Sequence, residues 1–592
     1  MDLLLDELKK HYPHLKNNTI NFKKNNDNTL EVIKGEDETY EINYCDNKSL
    51  VRGFSYVIAG EQTKEKCDFN TAGLMIDVSR NAVFKVSYLK ELIRYTALMG
   101  YNKIMLYMED VYEIEDEPFF GYMRGKYTKA ELKEIVYYSK LFKVELIPCI
   151  QTLGHMGQFL RWDYNAKYKD TNTVLYVNKE ETYELIDKMI RTLKDIFETD
   201  IIHIGMDEAH DLGYGYYIRQ KGYKKPSDLF NEHLDKVIKI CKKHNFNKPM
   251  IWSDMYYRMG SKYDDYYDME SVISQDVINK VPKDVELIYW DYYHEDLDFY
   301  NKMINNHKKF DNKIVMASGI WTWAVPVYEH ERTKNTVLHA INSSRSNEIK
   351  DIYFTMWGDD GQYCDFNTSL LGLYFVSENL HSDFNDETIN KHRFEVLTGY
   401  KYDELVKISQ INITKDLKAA GIMWDDPLYG INFNNQKALN GNVWSELESH
   451  YENLSQELMD MNDKSFSHNH GYLLAKYLYL KIRIRNILEA KYIEDKDSLN
   501  QLYPEIDEII LLIEMLLTSY RDMWLKRYKP FGLEVIQTRL GGMIQRYKEL
   551  KLRINELIVG EIKNIPELEE DTGKYQFIKW HHEFVNSSTI DR

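Results

Sequence analysis

The chain has 592 residues, 43% of them apolar and 14% aromatic, with 76 basic against 94 acidic side chains and a net charge of −18. Such a length and apolar content suit two to four domains with real cores, and they exclude a disordered chain. The acidic balance argues against nucleic acid or a membrane as partner, since both are polyanionic and bind through clustered Lys and Arg.

The opening "MDLLLDELKKHYPHL" has its leucines interrupted by acids, with no basic leader region or small-residue cleavage site. No run reaches the ~18 apolar residues of a membrane span. The cytoplasm is therefore the expected location. Residues 1–68 read as a small α+β domain, with strands near "TLEVIKG", "TYEINYC" and "VRGFSYVIAG".

From 69 to 385 two periods alternate. Short β-branched or aromatic runs occur at 74–79, 103–109, 145–151, 201–207, 249–254, 285–293, 313–319 and 351–357. They are nearly continuous in apolar character, as parallel strands covered on both faces require. Helical segments lie between them. "VSYLKELIRYTALMG" places Leu89, Leu92, Ile93 and Thr96 on one face and stops at Gly100, and Thr128 followed by Glu131 is a capping-box pattern. Eight strand–helix units predict an α/β fold, a (β/α)8 TIM barrel. An open doubly wound sheet is the alternative, and no Gly-rich nucleotide loop supports it.

Residues 386–592 read as a helical domain. "GYLLAKYLYLKIRIRNILEA" repeats apolar side chains at Leu473, Tyr477, Leu480, Ile484 and Leu488, and "IDEIILLIEMLLTSYRDMWLKRY" is a second such stretch. A homodimer through this appendage is expected by analogy alone. The five cysteines (Cys45, Cys67, Cys149, Cys241 and Cys364) have no C-x-x-C spacing and suit free buried thiols in a reducing compartment.

Barrel chemistry sits at the C-terminal strand ends. There the chain offers Asp77 and Arg80, Glu109 and Asp110, Gln151 and His155, Asp207 with Glu208 and His210, Trp252 and Asp254, Trp290 with Asp291 and Tyr292, Trp321 and Trp323, then Trp357 with Asp359 and Asp360. Indole walls with carboxylates and one arginine suit a sugar, whose C–H faces stack on rings while its hydroxyls meet charges. The stretch "HIGMDEAHDLG" (203–213) concentrates this chemistry. Neighbouring side chains on a strand point to opposite faces, so Asp207 and Glu208 share a pocket only if the strand ends between them. Even then they cannot flank a glycosidic bond as an ordinary nucleophile–acid couple does, ~5–5.5 Å apart. A different division of labour is open to them: one carboxyl can move the proton while the other stays ionised and orients a nucleophile that belongs to the substrate. A metal reading would use His203, Asp207 and His210, but no second acidic–histidine cluster accompanies them, and no metal or cofactor is expected.

These residues resemble a known family. "IIHIGMDEAHDLG" is similar to the H-x-G-x-D-E signature of family 20 glycoside hydrolases, the β-N-acetylhexosaminidases. "IQTLGH" (150–155) resembles the D-x-P-G-H motif, with Gln151 and Leu153 in place of its aspartate and proline. "DVSRN" (77–81) resembles the first-strand arginine motif, and "MWGDD" (356–360) the W-x-E of the last strand, with Asp359 for glutamate. The likeness spans the barrel and is similar to a compact bacterial branch with a helical appendage.

The resemblance implies substrate-assisted, retaining, exo-acting removal of terminal GlcNAc or GalNAc from small glycans. Asp207 would hold the 2-acetamido N–H, and Glu208 would be acid and then base. Arg80 would bind O3 and O4, and Asp359 would lie near O4/O6. Tyr292 (or Tyr293) would meet the acetamido carbonyl. Trp252, Trp321 and Trp357, with Trp323 a fourth member, would wall the acetamido pocket. His155, backed by Glu109 or Asp110, would tune Glu208. The alternatives are another 2-acetamido sugar or disaccharide release, a non-catalytic sugar-binding barrel, and a metal-dependent hydrolase.

Overall fold

The computed structural model describes residues 2–66, 68–381, 390–412, 419–441, 443–461 and 465–570. The expected boundary at 385/386 and Cys67 lie outside these residues. Four strands, β1 (Thr19–Lys24), β2 (Thr29–Lys34), β3 (Thr39–Tyr44) and β4 (Thr63–Lys66), form the N-terminal sheet in the order β1-β3-β2-β4. β1 runs parallel to β3, while β2 is antiparallel to β3 and β4.

The expected strand at "VRGFSYVIAG" is instead part of a helix, Asn47–Ala59. The Asp46 side chain accepts the Ser49 N–H, Ser49 answers in a capping box, and Gly60 closes the helix in the left-handed conformation. The helix is buried on nearly every side, so its apolar run carries no 3.6-residue period to separate it from a buried strand. Its Gly53 lets it press onto the sheet, where a Cβ would fall 2.7 Å from Ile42 Cγ2.

The next eight strands are β5 (Thr71–Asp77), β6 (Lys103–Tyr107), β7 (Glu145–Cys149), β8 (Ile201–His203), β9 (Lys248–Trp252), β10 (Glu286–Trp290), β11 (Ile314–Gly319) and β12 (Asp351–Met356). All pair in parallel, and β12 pairs with β5, closing the barrel. The open-sheet alternative is thereby excluded. Alternation divides the side chains into two cores: Met75, Met105, Ile147, Met250 and Val315 fill the barrel, whereas Leu74, Ile76 and Ile104 face the helices. Gly73 is needed inside, because a Cβ there would lie 2.2 Å from the Tyr353 ring.

The helix Val86–Met99 stops at Gly100, at φ 98°, and the helix Lys129–Leu141 begins with the reciprocal Thr128–Glu131 capping box. Beyond the barrel, the long helices Phe466–Glu494, Tyr503–Arg527 and Leu533–Ile558 pack in sequence. All five apolar positions expected on the first of these are buried. The region docks on loops at the barrel's open end, where Lys85 N–H donates to Arg527 O and Lys529 N–H to Val83 O, each at 2.8 Å. Cys149, Cys241 and Cys364 are buried free thiols, while Cys45 is half-buried. No helix among the described residues is long and apolar enough to cross a membrane.

Thr128→Ala removes the cap acceptor from an exposed helix start and is expected to lower stability by about 1 kcal/mol, read by chemical denaturation. An unchanged unfolding midpoint would show that the capping box contributes nothing.

Candidate active site

β8 ends at His203, earlier than the 201–207 run suggests. Gly205, Met206 and Glu208 then take φ of 71°, 76° and 46°. Asp207 and Glu208 are thus not divided by a strand end, because both lie on a tightly wound loop. The winding is forced by a close approach, since a Cβ on Gly205 would fall 2.1 Å from Gln151 Oε1. Positive φ also occurs at Asn81, Glu109, His155 and Asp360, all around the same opening. Such backbone costs on the order of 1–3 kcal/mol per residue and persists where the surroundings hold it.

Asp207 is buried and heavily tied. Gln151 Nε2 donates to Oδ1 at 2.7 Å, and His155 Nε2 lies 3.2 Å from Oδ2. Burial pushes the carboxyl up, but the His155 charge, the Gln151 amide and Arg80 outweigh it and hold the pKa at about 2. Glu208 Oε2 is 3.4 Å from the same His155 nitrogen, and both contacts are ion-pair distances that miss good hydrogen-bond geometry. Burial likewise raises Glu208, yet His155 brings it below the ordinary value. His155 itself is lowered by burial but raised more by the two carboxylates, which favours its charged form.

Behind the pair, the Glu208 N–H donates to Asp254 Oδ2 at 3.0 Å. Burial and the charges of Asp207 and Glu208 drive the Asp254 pKa far upward, which favours its protonated form.

The pair opens into a cavity of about 380 Å³ lined also by Arg80, Trp252, Trp290, Tyr292, Tyr293, Trp323, Trp357 and Asp359. Trp321 is not a wall as expected. It is buried behind Trp323, stacked at 3.9 Å, with the Arg332 guanidinium 4.0 Å from its own ring centre. Trp290, absent from the expected walls, takes a place on the lining. Tyr292 and Tyr293 both reach the cavity. Tyr292 is buried, and its hydroxyl, close to Thr355 and Trp357, makes no hydrogen bond of good geometry.

Arg80 Nη1 is 3.1 Å from Asp359 Oδ1, and its guanidinium packs 4.5 Å from the Trp357 ring centre. Glu109 and Asp110, expected to back His155, each meet a guanidinium, and Glu109 also stays within electrostatic reach of His155. Glu109 faces Arg80 at 3.8 Å and Arg124 at 3.5 Å, and Asp110 faces Arg124 at 3.2 Å. The carboxylates within ion-pair distance of His155 are those of the pair itself.

The histidines that suggested a metal lie apart from this chemistry. His203 Nδ1 accepts the Gly205 N–H, and burial lowers its pKa to about 3, while His210 turns outward to Tyr266. Gln151 and Asp254 stood among the expected strand-end residues but had no role assigned to them. Gln151 was legible, since an amide where a carboxylate is usual removes a charge facing Asp207. Asp254 was not, because nothing local says which carboxylate receives the Glu208 N–H.

A closed eight-stranded barrel with indoles, an arginine and paired carboxylates at its open end defines a sugar-cleaving class of barrel enzyme. Residues 69–360 match the glycosyl hydrolase family 20 catalytic domain, and 397–585 match the Glycoside Hydrolase 20C C-terminal domain. The chain belongs to glycoside hydrolase family 20 and is a glycoside hydrolase. Hexosaminidase D of Bos taurus is 26% identical over 293 residues, 46% of this chain and 80% of that protein. The Homo sapiens hexosaminidase D is 25% identical over 46% of this chain and 57% of its own length. A mutant Streptomyces plicatus beta-hexosaminidase in complex with product (GlcNAc) shares the fold, with a TM-score of 0.50 and 16% identity over 68% of this chain and 88% of that one.

Replacing His155 by Gln removes the cation that holds Glu208 down, while burial and the Asp207 charge, both raising, remain. The Glu208 pKa is then expected to rise, and the alkaline limb of kcat/KM to move to higher pH. An unmoved limb in the pH–rate profile would exclude control of Glu208 by His155.

Proposed function

We propose that the protein is an exo-acting, retaining β-N-acetylhexosaminidase that removes terminal β-linked GlcNAc or GalNAc by substrate-assisted catalysis. The observation that carries this reading is the adjacent carboxylate pair facing one indole-walled pocket, one member held ionised near a pKa of 2. Consecutive residues cannot take opposite sides of a glycosidic bond, and family 20 is among the known exceptions to the two-carboxylate rule.

Asp207 would accept a hydrogen bond from the acetamido N–H and turn the acetamido oxygen toward C1. That oxygen attacks C1 as the bond to the leaving oxygen breaks, and Glu208 gives its proton to the departing alcohol. The product is a cyclic oxazolinium, its charge matched by Asp207. Glu208, now a carboxylate, takes a proton from water, which attacks C1 and reopens the ring with net retention. The substrate supplies the nucleophile, so the reaction needs no metal. Trp252, Trp290, Trp323 and Trp357 would enclose the acetamido group, and the Tyr292 hydroxyl would donate to its carbonyl. Arg80 and Asp359 would take the O3/O4 edge, where GlcNAc and GalNAc differ.

A second reading, release of a disaccharide, draws on a polar chamber of about 660 Å³ beyond Arg80 and Asp359, lined also by Arg124, Arg161 and Lys169. An aryl β-glycoside of a disaccharide ending in N-acetylhexosamine tests it, since turnover of that compound and not of the monosaccharide would favour it.

Aryl β-GlcNAc, β-GalNAc and β-glucoside, assayed with and without EDTA, test the main reading. The two acetamido sugars are expected to turn over and the glucoside not, with no effect of chelation; a glucoside cleaved equally well would sink substrate assistance. Glu208→Gln is expected to cripple substrates with poor leaving groups, on the order of 10²-fold or more, and to spare activated aryl glycosides. Equal losses would remove Glu208 as the acid. Asp207→Asn should cut kcat by a comparable factor, and a near-normal kcat would rule out the orienting role.

A further inference from the structure

Arg80 and Asp359, which meet the sugar's O3/O4 edge in the proposed reaction, both stand on loops beyond their strands. Each is followed directly by a residue that the helical region holds. Next to Arg80, Asn81 takes φ 67° and gives its side-chain amide to Gly361 O at 2.9 Å and Gly532 O at 3.0 Å. Next to Asp359, Asp360 accepts Arg539 Nη1 at its carbonyl and Nη2 at its carboxylate, each at 2.9 Å.

The joint is close-fitting. Gly532, at φ 93°, has no room for a side chain, because a Cβ would fall 2.2 Å from Asn81 O. Gly361, also at φ 93°, lies against Val535 and Arg539. The Arg539 side chain is fully buried, with its guanidinium 5.3 Å from the Trp424 ring centre. Burying a guanidinium is costly unless it is well paired, and apolar packing alone would dock the helices more cheaply. A rigid fork bonded to both the backbone and the side chain of one residue fixes position and angle together. From within the barrel, Asp77 Oδ1 accepts the Arg80 N–H at 3.1 Å and Oδ2 the Gly358 N–H at 3.0 Å. The two loops are thus clamped from both sides.

We infer that Arg539, with Asn81, is a positioning residue for sugar recognition: the helical region sets the spacing of Arg80 and Asp359 and thereby the discrimination at C4. This rests on the assignment of the O3/O4 edge to that pair. The test uses the full chain and measures kcat and KM on aryl β-GlcNAc and aryl β-GalNAc. The variants are Arg539→Met, Arg539→Lys, Asn81→Ala, Asp359→Ala and the double Asp359→Ala/Arg539→Met.

Arg539→Met is expected to lower kcat/KM about tenfold, mainly through KM, and to move the GlcNAc:GalNAc ratio to that of Asp359→Ala. Arg539→Lys should recover part of this, and the double variant should be little worse than Asp359→Ala alone. Should Arg539→Met fold poorly, the Lys and Asn81→Ala variants carry the same comparison. An altered ratio in Asp359→Ala with an unchanged ratio in the Arg539 and Asn81 variants, or a double variant that loses the full product, overturns the clamp. An unchanged ratio in Asp359→Ala overturns the edge assignment itself.

Discussion

Two carboxylates on consecutive residues can share a buried pocket only if something offsets their repulsion, and here that is the His155 imidazolium. It lies between Asp207 and Glu208 at 3.2 and 3.4 Å. The Gln151 amide takes the other Asp207 oxygen, and Asp254 supports Glu208 by accepting its backbone N–H. Much of the site's composition follows from this balance. An acid at position 151 would add a like charge beside Asp207, and an ionised Asp254 would add another behind Glu208.

The same electrostatics fits the proposed division of labour. Asp207, deeper and met by a cation and an amide, stays ionised, which suits holding an N–H and facing a developing positive charge. Glu208 feels burial and the neighbouring anion as well as His155, and His155 outweighs them, so its proton affinity falls below the ordinary value. The strained backbone at His155, Met206 and Glu208 is the conformational cost of delivering both side chains from one loop.

The barrel supplies direction and the helical region supplies register. Parallel strands bring every candidate side chain to one rim, yet the loops beyond them have no ladder to hold them. Two of those loops, after β5 and β12, are tied to the segment around Gly532 and Arg539 by directional hydrogen bonds. The appendage is therefore continuous with the edge of the pocket that carries Arg80 and Asp359.

The eight barrel strands, the helices between them and the adjacency of the carboxylate pair were legible in the sequence alone, because periodicity and local motifs are short-range signals. Gly100, the Thr128 capping box and the buried face at Leu473–Leu488 belong to that class. Misreadings arose where burial erased the period, as in the helix Asn47–Ala59, or where a strand's end depended on a distant neighbour, as β8 does on Gln151 at Gly205. Only the tertiary structure decided that Trp290 walls the cavity while Trp321 stands behind Trp323, that Arg80 and Arg124 take Glu109 and Asp110, and that Arg539 reaches Asp360. Each of these pairs side chains from separate loops, and their meeting is set by packing distances that no local pattern of residues encodes.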